Sequence, residues 1–170
     1  MKTHDNKTLL ELPNVEGNHC FGCGPENNSG LKMKFYSEED AVVSWLHVKK
    51  DFCGWSNLMH GGIISSILDE IMSWSAIYLL KKFILTKSIQ VDFLKPLYVT
   101  DDLKAEGRVG ERKSEREAVM NGFLYNKKGE LCARSTGRFA LIDSEAVRKF
   151  GIMDEDMFKS FESLIKDFSS

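Results

Sequence analysis

The stretch from Gly61 to Leu80 constrains this chain most. Ile63, Ile64, Ile67, Leu68, Ile71 and Met72 recur at helical spacing. Ser65, Ser66, Asp69, Glu70 and Ser73 form a second stripe at the same spacing. The apolar run continues through Trp74, Ala76, Ile77 and Tyr78 to Leu80. The pattern predicts a helix of about five turns. With so little charge, such a helix is buried on most sides, so the rest of the chain must wrap it.

Both flanks read as strands. Leu31–Phe35 alternates apolar and polar residues, and Ala41–Val48 reads as its partner, with Ser37-Glu38-Glu39-Asp40 as the turn. After Lys82 the strands run Phe83–Leu94, Asp102–Gly110, Glu117–Tyr125 and Glu130–Ile142. Asn126-Lys127-Lys128-Gly129 is the hairpin turn, since Asn and Gly tolerate positive φ. In the tail, Asp154–Phe168, residues Met157, Phe158, Phe161, Leu164, Ile165 and Phe168 recur at helical spacing. That predicts an amphipathic helix packed on the body or on a neighbouring subunit. Helices do not alternate with strands, which argues against a parallel α/β fold. The expected fold class is α+β: one domain over residues 1–170, an antiparallel sheet wrapped around one central helix, plus a C-terminal helix. Residues 1–18 read as an N-terminal arm or short leading helix, and 143–170 as a C-terminal helical extension.

Composition closes off several function classes. The net charge is −2, so no strong field would attract nucleic acid or an anionic membrane. No unbroken apolar run reaches the roughly 18 residues of a membrane span. The polar start, Met1-Lys2-Thr3-His4-Asp5-Asn6, leads into no signal-peptide core, so a cytoplasmic protein is expected. Residues 20–30, CFGCGPENNSG, are loop chemistry, with three glycines, one proline and two asparagines. Cys20 and Cys23 are the only cysteines close in sequence, and neither Cys53, Cys132 nor the histidines supply the second pair of a zinc ribbon. They read as two free thiols in a tight turn, with no metal.

Two features could carry chemistry. His60-Gly61-Gly62 stands at the start of the helix. Its glycines admit a ligand close to the backbone. The first-turn N–H groups lack partners and sit at the positive end of the helix dipole, a natural place to stabilise an oxyanion. A loop that simply needs positive φ before a helix would look the same. Asp69 lies on the same helix face as Gly62, about 10 Å along the axis. A carboxylate among Ile, Leu, Met and Trp is costly unless paired or functional, and burial would raise its pKa towards that of a general base. Glu70 is turned by about 100°, and chemistry alone weights the two equally.

Taken together, three elements resemble the PaaI-like branch of hotdog-fold acyl-CoA thioesterases. They are the run Cys20–Leu31, His60-Gly61-Gly62 with Asp69 nine residues on, and Thr86 ten residues before Pro96. The resemblance covers roughly residues 19–142, and its Cys-x-x-Cys-Gly loop points to a subgroup. It implies a hotdog fold with Asp69, rather than Glu70, as the catalytic carboxylate. By the same resemblance Gly61, with Gly62 beside it, supplies the backbone donor to the thioester carbonyl. His60 holds the carbonyl or the loop, and Thr86 orients water or Asp69. The channel would lie at a homodimer interface, with dimers pairing into a homotetramer. Some members carry an Asn six residues before the His. Here that position is Gly54 and the nearest Asn is Asn57, so a substrate role for Asn57 is in doubt.

The expected reaction is hydrolysis of an acyl-CoA, with Asp69 as general base or nucleophile. It needs no metal or redox cofactor, and coenzyme A enters as part of the substrate. Lys87, Lys95, Arg112 and Lys113 are candidates for the CoA phosphates, although each also fits a solvated surface. Trp55, Ile63, Ile67 and Trp74 could line an acyl pocket or form plain core. The alternatives are a hotdog dehydratase or hydratase, and a non-catalytic acyl-CoA-binding protein. The latter gains weight only if Asp69 is exposed and unpaired.

Overall fold

The structure, a computed structural model, describes residues 3, 4 and 7–168. The sequence reading of residues 1, 2, 5, 6, 169 and 170 lies outside the described residues. In chain order the elements are β1 (Thr3–His4), β2 (Lys7–Thr8), β3 (Leu10–Glu11), β4 (Tyr36–Glu38), β5 (Ala41–His47), α1 (Gly61–Leu80), β6 (Phe83–Phe93), β7 (Asp102–Ser114), β8 (Glu117–Asn126), β9 (Leu131–Ile142), α2 (Ser144–Phe150) and α3 (Glu155–Asp167). β1 and β2 pair with each other. The other seven strands form one antiparallel sheet in the order β3-β4-β5-β7-β8-β9-β6. This is the expected α+β hotdog architecture, a sheet wrapped around a long helix.

By length and composition α1 could cross a membrane, with a mean hydropathy of 1.4. Instead it lies against strands β5 to β9. Ile67, Leu68, Ile71 and Met72 are wholly buried, and Trp74 stacks on Phe35 with ring centroids 4.7 Å apart. Burying each of these side chains contributes on the order of 1.5–3 kcal/mol, so the helix is the centre of the core. The sheet comes this close because small residues line up across three strands. Gly107 faces Gly122, and Gly122 faces Ser135, in adjacent registers. A Cβ on Gly107 would lie 2.7 Å from the Ile71 carbonyl oxygen, and one on Gly122 would press Met72 and Leu68. Any larger side chain at Gly107 would push the helix off the sheet.

The N-terminal part departs from expectation. In place of an arm or short helix over residues 1–18, β3 adds a strand to the sheet edge, and Leu9, Leu12 and Val15 are buried. Leu31–Phe35 keeps its alternation, with Met33 and Phe35 buried and Lys32 and Lys34 exposed. It is not a sheet strand. Its Leu31 and Met33 N–H groups donate to the Phe21 and Gly22 carbonyls of the cysteine loop, and the strand proper begins at Tyr36. The expected four-residue turn shrinks to Glu39-Asp40, with Glu39 at φ 53°. β7 runs four residues past Gly110.

At the C-terminus α3 packs on the body. Phe158 stacks on Phe83 at 5.4 Å, Leu164 joins the main core, and the Asp154 side chain caps the helix by accepting from the Met157 N–H. Helix α2 had no periodic signal, because Val147 is its only buried residue. Its local chemistry specifies it instead: Asp143 accepts from the Ala146 N–H at the start, and Gly151 at φ 57° ends it.

Candidate active site

His60 is the N-cap of α1. Its Nδ1 accepts from the Gly62 N–H at 2.9 Å, and its carbonyl accepts from the Ile63 and Ile64 N–H groups. An accepting Nδ1 assigns the neutral ring proton to Nε2, leaving that atom as a donor. Three first-turn N–H groups are thus engaged. The Gly61 N–H is the first-turn donor with no partner among the described residues, so the local chemistry narrows the expected Gly61/Gly62 pair to Gly61. Gly54 lies against His60, since a Cβ there would sit 3.4 Å from the His60 Cα.

Asp69 points towards β6. The Thr86 hydroxyl donates to its Oδ1 at 2.9 Å. A bulge makes this contact possible: the pairing of β6 with β9 slips between Thr86 and Ser88, with Lys87 as the extra residue. Side chains alternate faces along a strand, so Thr86 and odd-numbered Val91 and Phe93 would otherwise lie on opposite faces. After the slip all three face the helix. Thr86 meets Asp69, Val91 packs on the core, and Phe93 lies over Gly61, where a Cβ would sit 3.6 Å from its ring. Burial raises the Asp69 pKa above its ordinary 3.8, partly offset by the Thr86 hydrogen bond.

Glu70 faces elsewhere. Its carboxylate oxygens lie 3.5 and 3.6 Å from Cys20 Sγ, and Oε1 accepts from the Trp74 indole N–H at 3.2 Å. Cys23 is buried, and its sulfur accepts from the Asn18 amide at 3.4 Å. The Cys20 pKa is pulled down to about 5, first by the hydrogen bond from Cys23, and Cys23 is raised by the same bond and by burial. Burial, then the charge of Cys20, pushes Glu70 up to about 8. The two carboxylates that chemistry alone weighted equally therefore have separate partners. Sequence reasoning missed this cluster because no spacing links position 20 to position 70; the one signal was a second carboxylate on an apolar helix.

The remaining candidates scatter. Trp55 is 86% exposed, not core, while Ile67 and Trp74 are core and Ile63 is half-buried. Asn57 is exposed, and its carbonyl accepts from the Val99 N–H. Lys87 pairs with Glu117, and Lys95 with Glu130 at 2.7 Å. Arg112 pairs with Glu115 and Lys113 with Glu111. Each cation is exposed and already faces a carboxylate. The 540 Å³ cleft beside Trp45, Lys104 and Tyr125 includes none of the expected site residues.

Residues 56–133, which carry the helix start, α1 and most of the long strands, match the thioesterase superfamily. The fold is hotdog. Over 109 residues the chain is 30% identical to an uncharacterised protein of Schizosaccharomyces pombe, covering 57% of this chain and 58% of that one. The chain thus spans little more than half of that relative. Among solved structures, a thioesterase superfamily protein superposes with a TM-score of 0.67 at 20% identity, over 72% of this chain and 60% of its own. The E. coli PaaI protein of the phenylacetic acid degradation operon does so at 0.60 and 21% identity, over 66% and 80%. A hypothetical thioesterase of Streptococcus pneumoniae, solved with coenzyme A, gives 0.60 and 20%, over 65% and 86%. The Cys20–Leu31 loop lies outside the matched residues.

Proposed function

We propose that this chain hydrolyses an acyl-CoA thioester to the free acid and CoA. The observation that carries the proposal is the Thr86–Asp69 hydrogen bond, which holds a half-buried carboxylate of raised pKa at an accessible strand face. Asp69 acts as general base on water or attacks the carbonyl carbon directly. The Gly61 N–H, at the positive end of α1, stabilises the oxyanion. His60 holds the helix start through Nδ1 and offers Nε2–H to the carbonyl. The chemistry requires no dissociable cofactor. The likeness to a structure solved with coenzyme A supports a CoA thioester as substrate.

The site is completed by a second copy of the chain. β6 is the last strand of the sheet, and Leu85, Ile89, Phe93 and Leu94 on or beside it are exposed large apolar side chains. An 11-residue edge strand with such residues is a pairing surface. Pairing there brings His60 and Gly61 of one subunit towards Asp69 and Thr86 of the other. Lys87 and Lys95 stand on that strand and just past it. Their ion pairs are solvent-exposed and weak, so a CoA phosphate can displace the carboxylates. Exposed Trp55 is free to cover the nucleotide or pantetheine.

A dehydratase would use His60 to move protons at carbon, but its Nδ1 is committed to the helix cap. A non-catalytic binder would be expected to leave Asp69 unpaired, and Thr86 pairs it. The test is thiol release across short, long, branched and aromatic acyl-CoAs. Wild-type protein should turn over at least one class, and Asp69→Ala should lose about 10²- to 10⁴-fold. An Asp69→Ala protein with undiminished turnover of every hydrolysed substrate overturns the assignment.

A further inference from the structure

The group of acids around Glu70 is not used by the proposed hydrolysis. Cys20 Sγ, Cys23 Sγ and a Glu70 carboxylate oxygen all lie within 4.8 Å of one another. We propose that these three side chains bind one Zn²⁺, which ties the cysteine loop to the central helix one residue after Asp69.

Geometry supports a tetrahedral ion. Zn–S bonds of about 2.3 Å and Zn–O bonds of about 2.0 Å, at tetrahedral angles, set a sulfur–oxygen edge of roughly 3.5 Å. The Cys20–Glu70 separations are 3.5 and 3.6 Å, so either carboxylate oxygen can serve. Two thiolates and one carboxylate form a borderline-soft set that suits Zn²⁺ better than Mg²⁺ or Ca²⁺. Water takes the fourth position.

The surroundings are those of anionic ligands. The Gly22 and Cys23 backbone N–H groups donate to Cys20 Sγ. The Asn18 amide donates to Cys23 Sγ, and the Trp74 indole to Glu70. These are neutral donors, which orient thiolates and carboxylates without neutralising them. No Lys, Arg or His among the described residues forms an ion pair with Glu70. The backbone is shaped for the arrangement: a Cβ on Gly22 would sit 2.4 Å from the Glu70 carboxyl carbon. A larger residue there would displace the Glu70 carboxylate from its present position. Binding displaces the protons of the ligands to solvent and involves no redox step.

The experiment is metal analysis of the full chain, purified without chelator from zinc-supplemented medium. About one zinc per chain is expected. Cys20→Ser, Cys23→Ser and Glu70→Gln should each lose most of it, while Cys53→Ser and Cys132→Ser keep it. Because a variant can fail to fold, the wild-type chain is also stripped and titrated with Co²⁺. A thiolate-to-cobalt charge-transfer band with intense tetrahedral d–d bands should saturate at one equivalent. Metal-free protein with no cobalt band, or a Cys20–Cys23 disulfide in the protein as purified, overturns the proposal. Neither readout depends on thioester hydrolysis.

Discussion

Asp69 and Glu70 are consecutive carboxylates on one apolar helix, and the two sides of that helix treat them differently. Asp69 faces an edge strand with one neutral hydroxyl, Thr86, and an open surface beyond it. Glu70 faces a closed loop with two thiols and an indole N–H. Burial raises the pKa of both. The difference lies in what completes each site. Asp69 is left accessible to a substrate and to a second subunit. Glu70 is enclosed by its own chain, with partners that suit a metal ion. A buried carboxylate therefore does not identify a catalytic residue; its partners and its access to solvent do.

The sharpest way to break this comparison is to remove each carboxylate in turn. Asp69→Ala should lower kcat/KM by about 10²- to 10⁴-fold while zinc content and fold, checked by circular dichroism, stay unchanged. Equal losses from Asp69→Ala and Glu70→Gln in zinc-replete protein would erase the distinction. Next in size is the edge strand. Ile89→Asp places a charge in the proposed subunit contact, so light scattering should report a monomer, with turnover falling at least tenfold. A monomer of full activity would mean that one chain completes the site. Stripping zinc, or Cys20→Ser, should lower Tm by about 5 °C or more, the shift given by roughly 2 kcal/mol in a chain of this length. Thr86→Val removes one hydrogen bond worth about 0.5–1.5 kcal/mol, so kcat should fall roughly 2- to 10-fold with zinc retained.

The smallest effect concerns the bulge. Hydrogen bonds from Lys87, then Arg138, hold the Glu117 carboxyl below its ordinary pKa. A depressed folded-state pKa contributes stability above the unfolded value, near 4.5, that is lost as pH falls through the folded value. Glu117→Gln should therefore melt slightly below wild type at neutral pH, and the two curves should converge as pH falls below 4.5 and through the lowered Glu117 value. A constant gap down to pH 3 would mean the difference is not electrostatic.

Much of the fold was legible in the sequence because it rests on local pattern. Alternation marked β8 and β9 to within a residue or so, and Asn126–Gly129 marked their turn, with Gly129 at φ 75°. Patterning failed where few residues repeat or where the partner is irregular. β3 and β4 are two and three residues long, too short for a period. Leu31–Phe35 alternates as a half-buried strand would, but its partner is the cysteine loop and not the expected Ala41–Val48 strand, which no pattern within those five residues reveals.

The candidate site divides in the same way. His60-Gly61-Gly62 at a helix start and a carboxylate inside an apolar helix are sequence facts, since capping and hydrophobic period are set within a few residues. Which carboxylate meets Thr86 is not. It depends on the helix lying in a furrow of Gly107, Gly122 and Ser135, and on one extra residue at Lys87 that reverses the facing of β6. The meeting of Cys20, Cys23 and Glu70 depends on a loop closing over a helix some 50 positions away. The sequence by itself determined a buried central helix, the strands around it and the helix-start donors, because neighbours along the chain decide periodicity and capping. Only the tertiary structure decided the partners of Asp69 and Glu70, because register, bulges and loop closure join residues that no local pattern connects.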